Sequence, residues 1–373
     1  MKPLDGSSEQ SAKRALFLSP EAPVAGSGGG GLRSASLLEY LRRSYSVDVV
    51  DFTLTRHSKS FAAKAWRNSV RLLRGVPPLF DRYSGYEDQL AARLGSAKYE
   101  LGVVEHFWCA AYAPILRARC RTLVLDLHNI ESDLALTHAR AARWPASWAS
   151  GRFAEAYRRL EREWLRHFDI LLVASEEDAG RVEHPHVIVY PNALPAIPVP
   201  NVPEENCIVF SGNLEYHPNR EAVRWFRSSV WPLIRERSPG LEWRLIGKNP
   251  EAVAQWTSGD ERIRVVGPVE DAVAEIARAK VAVVPLRSGS GTRFKILEAW
   301  AAERAVVSTP IGAAGLNARN GEHLLIAEGS SAFAKAVLGL LEDAPLRAKL
   351  GQAGRRLYLD RFTWAAAWAI LDI

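Results

Sequence analysis

Short apolar runs recur along this chain, each separated from the next by a stretch with helical spacing. In the first half the runs fall at residues 15–18, 47–52, 101–104, 123–127, 170–174 and 187–190. They are rich in Val, Ile and Leu and do not alternate with polar residues, as expected of strands covered on both faces. Helical patterns lie between them, as at 32–41, Phe61–Arg74 and 153–168. Strand alternating with helix predicts a parallel sheet wound with helices. The pattern stops at residues 191–206, where five prolines occur in sixteen positions. Proline removes a backbone donor and blocks helix and central strand, so this stretch reads as a linker or hinge. The alternation then restarts with runs at 208–210, 243–246, 263–266, 281–285 and 306–308. The chain is therefore expected to be α/β, with two doubly wound Rossmann-like domains facing a central cleft. Open parallel sheets bind ligands beyond the carboxyl ends of their strands, so both domains would offer loops to that cleft.

Composition narrows the class. Of 373 residues, 47% are hydrophobic and 24% charged, enough to build cores of this size and too apolar for a disordered chain. The three cysteines, Cys109, Cys120 and Cys207, show no C-x-x-C spacing, which argues against a disulfide framework or a structural zinc. No apolar run approaches the roughly 18 residues of a membrane helix. These features predict a cytoplasmic protein. The net charge of +6 suits an anionic substrate, a membrane surface or nucleic acid without choosing among them.

The densest signal is PLRSGSGTRFKILEA at 285–299. A strand should end at Pro285. Ser290, Gly291 and Thr292 let the backbone turn tightly, and a helix follows with unpaired amides and a positive dipole end. Arg293 and Lys295 add cations, and Glu298 stands three residues further along the same helix. This suits a diphosphate, with a carboxylate placed for ribose hydroxyls.

The segment SGSGTRFKILEAWAAERAVVSTPIGAAGL resembles the donor-site signature of retaining GT-B glycosyltransferases, family 4 (glycosyl transferases group 1). Further segments resemble the same family. They are Ser211-Gly212-Asn213-Leu214 followed by His217-Pro218-Asn219, Leu245-Ile246-Gly247-Lys248, Val266-Gly267-Pro268-Val269, Tyr190-Pro191-Asn192-Ala193 and Arg361-Phe362-Thr363-Trp364. The likeness covers most of 211–364 and is patchier before it. It implies that Glu298 holds the ribose, and that Arg293 and Lys295 hold the diphosphate together with the amides of Gly291 and Thr292. Gly247, Lys248 and Val269 would lie near the base, with Gly212 and Asn213 also on the donor. The family often has a second glutamate eight positions before the ribose one. Here that position is Ser290, which leaves the sugar open. The resemblance also implies an N-terminal acceptor-binding domain (1–193), a C-terminal donor-binding domain (194–355) and a last helix (356–373) crossing back to the first.

Four glycines at 28–31 follow the first strand. By resemblance Gly29, Gly30 and Arg33 belong to a loop that closes on donor and acceptor. The register of Gly26, Gly28 and Gly31, with Asp51 after the second strand, also suits an NAD-type oxidoreductase. Two histidines, His106 and His128, follow strands and should reach the cleft. His128 matches a family position where a histidine reaches the donor sugar. Glu105, Asp126 and Glu131 lie nearby without an assigned role. From Arg56 to Arg74 there are six cations and no acid, with apolar residues between them, a pattern that can lie on an anionic membrane. No nucleic-acid recognition pattern appears.

The expected activity is metal-independent sugar transfer from a UDP- or GDP-sugar to a glycan or lipid-linked acceptor, with retention. No resident cofactor is expected, and the catalytic set is His128, Arg293, Lys295 and Glu298. The alternatives are the oxidoreductase using residues 26–31 and a noncatalytic nucleotide-sugar-binding protein.

Overall fold

The structure, a computed structural model, describes residues 13–23, 29–52, 60–141, 144–289 and 294–373, the side chains of Phe61, Lys64 and Ala141 excepted. Ser290, Gly291, Thr292, Arg293, Gly26, Gly28, Arg56 and Lys59 lie outside the described residues.

The first sheet contains β1 (Arg14–Ser19), β2 (Ser46–Asp51), β3 (Tyr99–Glu105), β4 (Cys120–Leu127), β5 (Ile170–Val173) and β6 (Val187–Val189). Its order is β2-β1-β3-β4-β5-β6, all parallel. The second contains β7 (Cys207–Ser211), β8 (Glu242–Ile246), β9 (Ile263–Gly267), β10 (Val281–Val284), β11 (Ala305–Ser308) and β12 (Leu325–Ile326). Its order is β12-β11-β10-β7-β8-β9, again all parallel. Read from the other edge this is the 3-2-1-4-5-6 order of dinucleotide-binding folds. Each apolar run of the sequence is a strand. The two-residue β12 lies in a short apolar run at 324–327 that the alternation above does not include.

Both faces of the first sheet are buried, which explains the unbroken apolar runs. Leu16 and Leu18 of β1 join one core while Ala15 and Phe17 join the other. A third core surrounds the second sheet. The helices used below are α1 (Gly29–Arg42), α2 (Phe61–Arg74), α3 (Pro78–Tyr83), α4 (Ala146–Trp164), α5 (His217–Trp225), α6 (Phe294–Ala301), α7 (Ala344–Arg361) and α8 (Trp364–Trp368).

The strand order reverses between β1 and β3 in one sheet and between β7 and β10 in the other. At such a switch point the adjacent loops diverge to opposite faces and leave a crevice. The loop entering α1 and the residues after β3 and β4 sit at the first crevice. The residues after β7, β8 and β10 sit at the second.

The proline-rich linker is tied down. Leu194 donates to the Phe362 carbonyl (3.0 Å) and its own carbonyl accepts from Trp364 (2.9 Å). The Tyr358 hydroxyl accepts from the Ile197 amide, and Arg355 donates to the Ile197 carbonyl. The boundary expected at 355 falls inside the continuous α7. The helix ends at Arg361 with Phe362 as its C-cap, and Thr363 caps α8 by accepting from the Ala366 amide. Residues 364–371 pack on the first domain: Trp368 donates to the Ser36 carbonyl and Tyr40 to the Leu371 carbonyl.

Arg33, expected in a cleft loop, is buried instead. Its guanidinium forks onto Asp126 of β4 (2.8 and 2.5 Å), donates to the Tyr190 carbonyl (2.5 Å) and the Asn192 side chain (3.3 Å), and lies over the Tyr190 ring. A charge this deep persists only with its donors satisfied, and here α1, β4 and the linker entry satisfy them together. Arg33→Ala leaves Asp126 buried and without its cation. It is expected to lower unfolding stability by about 3–5 kcal/mol, read from urea denaturation.

Candidate active site between two strand-order reversals

In the second domain, β7 ends at Ser211, whose hydroxyl donates to Glu298 Oε2 (3.0 Å). Lys295, one turn earlier on α6, donates to Asn219 Oδ1 (3.0 Å), and its ammonium lies 5.0 Å from the Phe210 ring centre. Asn219 Nδ2 in turn donates to the Asn213 carbonyl (2.7 Å). Burial pushes the Glu298 carboxyl above its ordinary range, opposed by Ser211 and Lys295. The carboxylate and the ammonium thus stand side by side on α6, each oriented by a neutral partner from the β7–α5 segment.

Two glycines let this happen. Gly212 has φ 140°, and a Cβ there would stand 3.0 Å from Asn219 Nδ2 and 3.1 Å from Lys295 Nζ. Gly247 has φ 149°, and a Cβ there would fall 1.8 Å from the Gly212 carbonyl oxygen. The ends of β7 and β8 therefore approach backbone to backbone, closed by Gly212 donating to the Ile246 carbonyl and Leu214 to the Lys248 carbonyl (both 2.9 Å). Lys248 and Asn213 are exposed, and Val269 is partly buried against the core.

In the first domain His128 follows β4 and is buried. Its Nε2 lies 3.2 Å from Glu105 Oε2 and 3.3 Å from Asp126 Oδ2. Burial works against a charged ring, but Glu105 and Asp126 outweigh it and push His128 up to about 9. The ring centre is 3.7 Å from that of His106, which stacks on Trp108 at 4.3 Å. Burial, with the charge on His128, holds His106 well below its ordinary value. His106 has φ 63°, a conformation that non-glycine residues rarely adopt. Its Nδ1 is buried and has no hydrogen-bond partner.

Glu105, His106 and His128 offer ligand atoms within 4.8 Å of one another. The two imidazole rings are tilted by 32°, and His128 Nε2 is already held by two carboxylates.

The two halves meet at α1. A Cβ on Gly29 would stand 2.6 Å from the Phe294 ring at the start of α6, and Leu32 packs against the core of the second domain. Beside this contact a cleft of about 550 Å³ is lined by Asp133, Arg140, Ser175 and Arg181 on one side and by Glu221, Arg287 and Gly289 on the other.

Residues 205–343 match the family described as Glycosyl transferases group 1. The fold is similar to sucrose-phosphate synthase from Thermosynechococcus elongatus, with TM-score 0.73 and 17% identity over 96% of this chain and 97% of that one. It is also similar to HepE of Anabaena in complex with UDP and glucose, with TM-score 0.66 and 12% identity over 95% and 97% of the two chains. A Klebsiella pneumoniae protein, "Uncharacterized 44.6 kDa protein in cps region", is 25% identical over 142 residues, 36% of this chain and 37% of that protein. The family match of this chain lies within its second half. The architecture is GT-B.

Within this fold, Lys295, Glu298, Gly212, Asn213, Gly247 and Lys248 gather at the β7/β10 reversal. Gly29, Gly30 and His128 gather at the other. His106 is packed between His128 and Trp108, and Arg33 is turned away from the cleft into its ion pair. Asp51, the acid of the NAD-type alternative, is ion-paired with Arg93 (3.9 Å). Ser211, Asn219, Glu105 and Asp126 were not singled out for roles from the sequence. Asn219 stood in the quoted His-Pro-Asn segment, but its partner is 76 residues away. Gly247→Ala forces a Cβ into the Gly212 carbonyl and is expected to cost more than about 2 kcal/mol and to abolish nucleotide binding. Denaturation and calorimetric titration with UDP measure the two effects.

Proposed function

We propose that this glycosyltransferase moves a sugar from a UDP-sugar to a glycan or lipid-linked acceptor, with retention and without a metal. The observation that carries the reading is the pair of oriented side chains on α6. The Glu298 carboxylate suits two adjacent ribose hydroxyls. Lys295 lies beside it, at the end of the helix where backbone amides are unpaired. Rupture of the glycosidic bond builds negative charge on the departing diphosphate. A fixed donor aimed at such charge is commonly worth about 3–4 kcal/mol of barrier. Lys295, the amides of the α6 N-terminus and Arg293 are proposed to supply this stabilisation in place of a divalent ion. Gly29 and Gly30 would face the same diphosphate from the first domain and help exclude water. HepE was solved in complex with UDP and with UDP-glucose, which supports uracil as the base. The glycan acceptor is consistent with TarM, solved with Fondaparinux, alpha-GlcNAc-glycerol and UDP.

Thermal unfolding with UDP, GDP, ADP and NAD tests this. At about 100 times its dissociation constant, UDP should stabilise by about 2.7 kcal/mol. The effect should survive EDTA and vanish in Glu298→Ala. Stabilisation by NAD alone, or an effect of UDP that EDTA removes, would overturn the corresponding part of the reading.

A membrane-borne acceptor is favoured by one surface. Ala62, Ala65, Trp66, Ser69 and Leu73 form an exposed stripe on α2, with Trp66 72% and Leu73 89% exposed. Arg159 of α4 donates to Gly75 at the end of α2, and Trp144 and Trp148, at the start of α4, are also exposed. The patch is less cationic than the sequence suggested, because Asp81 of α3 pairs with Arg71 (2.9 Å) and Arg74 (3.1 Å). Among the described residues no helix is long and apolar enough to cross a membrane. Insertion of the aromatic stripe at the interface is therefore the proposed mode. In flotation assays the chain should bind vesicles containing phosphatidylglycerol. The double variant Trp66→Ser, Leu73→Ser should lose most of this binding while still binding UDP.

A further inference from the structure

Behind His128 stand two carboxylates that donor binding does not require. Glu105 ends β3 and is fully buried. It accepts from the Ser34 hydroxyl through Oε2, the same oxygen that lies 3.2 Å from His128 Nε2. Its Oε1 has no partner. Asp126, two residues before His128, lies 3.3 Å from the same Nε2 and is otherwise taken by Arg33. Both carboxylates therefore grip one nitrogen of the ring. The other nitrogen points the opposite way: a Cβ on Gly30 would stand 3.6 Å from Nδ1. The first turn of α1 presents unpaired backbone amides, so an Nδ1–H and those amides converge on one place. Donors so placed favour an anion beside them.

We propose that Glu105 and Asp126 are positioning residues that hold His128 by Nε2 and keep its Nδ1–H, with a positive charge on the ring, directed at the oxyanion of the donor's diphosphate. This rests on the glycosyltransferase reading above.

The surrounding groups agree on where the charge sits. On the β3 side, His106 is held neutral by burial and by its charged neighbour, so the tilted pair carries one positive charge and not two. On α1, Arg33 neutralises Asp126 and holds its carboxyl well below the ordinary range against the effect of burial. Ser34 donates to Glu105. On the helix that follows β4, Glu131 is pushed up to about 8 by burial and so adds little negative charge near neutrality. Glu105 is therefore the acid whose charge His128 answers. Burial raises the Glu105 carboxyl too, while His128 and Ser34 oppose that shift. A protein that needed only a packed histidine there would not require a second buried carboxylate with one oxygen unsatisfied.

The test is the protonation of His128 in the full chain without donor, followed by NMR of 15N-labelled histidine and assigned from the signal lost in His128→Gln. The wild-type ring should stay protonated through pH 8. Glu105→Gln should lower its midpoint by at least one pH unit, and the alkaline limb of kcat should move down by the same amount. Glu105→Asp should restore most of the shift. Ser34→Ala, which only weakens the Glu105 anion, should produce a smaller displacement in the same direction, and it keeps the test usable if Glu105→Gln does not fold. A wild-type midpoint near 6.5, or one that neither Glu105→Gln nor Ser34→Ala moves, overturns the proposal. The titration is read without substrate. Failure to transfer sugar would thus count against the function proposed above, and an ordinary titration in an active enzyme would count against this one.

Discussion

The buried ion pair between Arg33 and Asp126 is the contact on which the arrangement of the first domain turns. One guanidinium joins α1 to β4 and both to the backbone at Tyr190, where the chain leaves for the second domain. Such a pair contributes little net stability compared with a well-packed apolar core, because desolvation consumes most of the Coulombic gain. It does fix geometry, since five planar donors must meet acceptors at set angles. The first turn of α1, the strand carrying Asp126 and His128, and the entry to the linker are thereby held in one register. That register brings Gly29 against Phe294 and sets His128 behind Gly30.

The second domain reaches its geometry by a different route. Backbone proximity shapes the Glu298 and Lys295 site, with the β7 and β8 ends so close that Gly247 has no room for a side chain. The polar partners Ser211 and Asn219 then orient the two charged groups from the side opposite α6. The active cleft thus joins a half fixed by charge to a half fixed by steric exclusion, each at a reversal of strand order.

Much of the fold was legible in the residues. Strands buried on both faces leave continuous apolar runs, and the prolines of 191–206 mark the interval between the sheets. The proposed donor helix stood out because Lys295 and Glu298 are close in sequence on one element. Arg33 was misplaced because a helix-start arginine after a glycine run looks the same whether it faces solvent or a buried aspartate 93 residues later. The cationic stripe was overestimated for the same reason, since Asp81 lies beyond the end of α2.

The sequence by itself determined the class of architecture, the two wound units and the helix that carries Lys295 and Glu298. Periodicity and local spacing carry that information, and both are properties of neighbouring residues. The tertiary structure alone decided which charges are spent on one another and which remain for a ligand. Arg33 and Asp126, His128 and Glu105, and Lys295 and Asn219 are paired across 93, 23 and 76 positions. Their protonation and direction depend on burial and on partners that only the folded chain brings together.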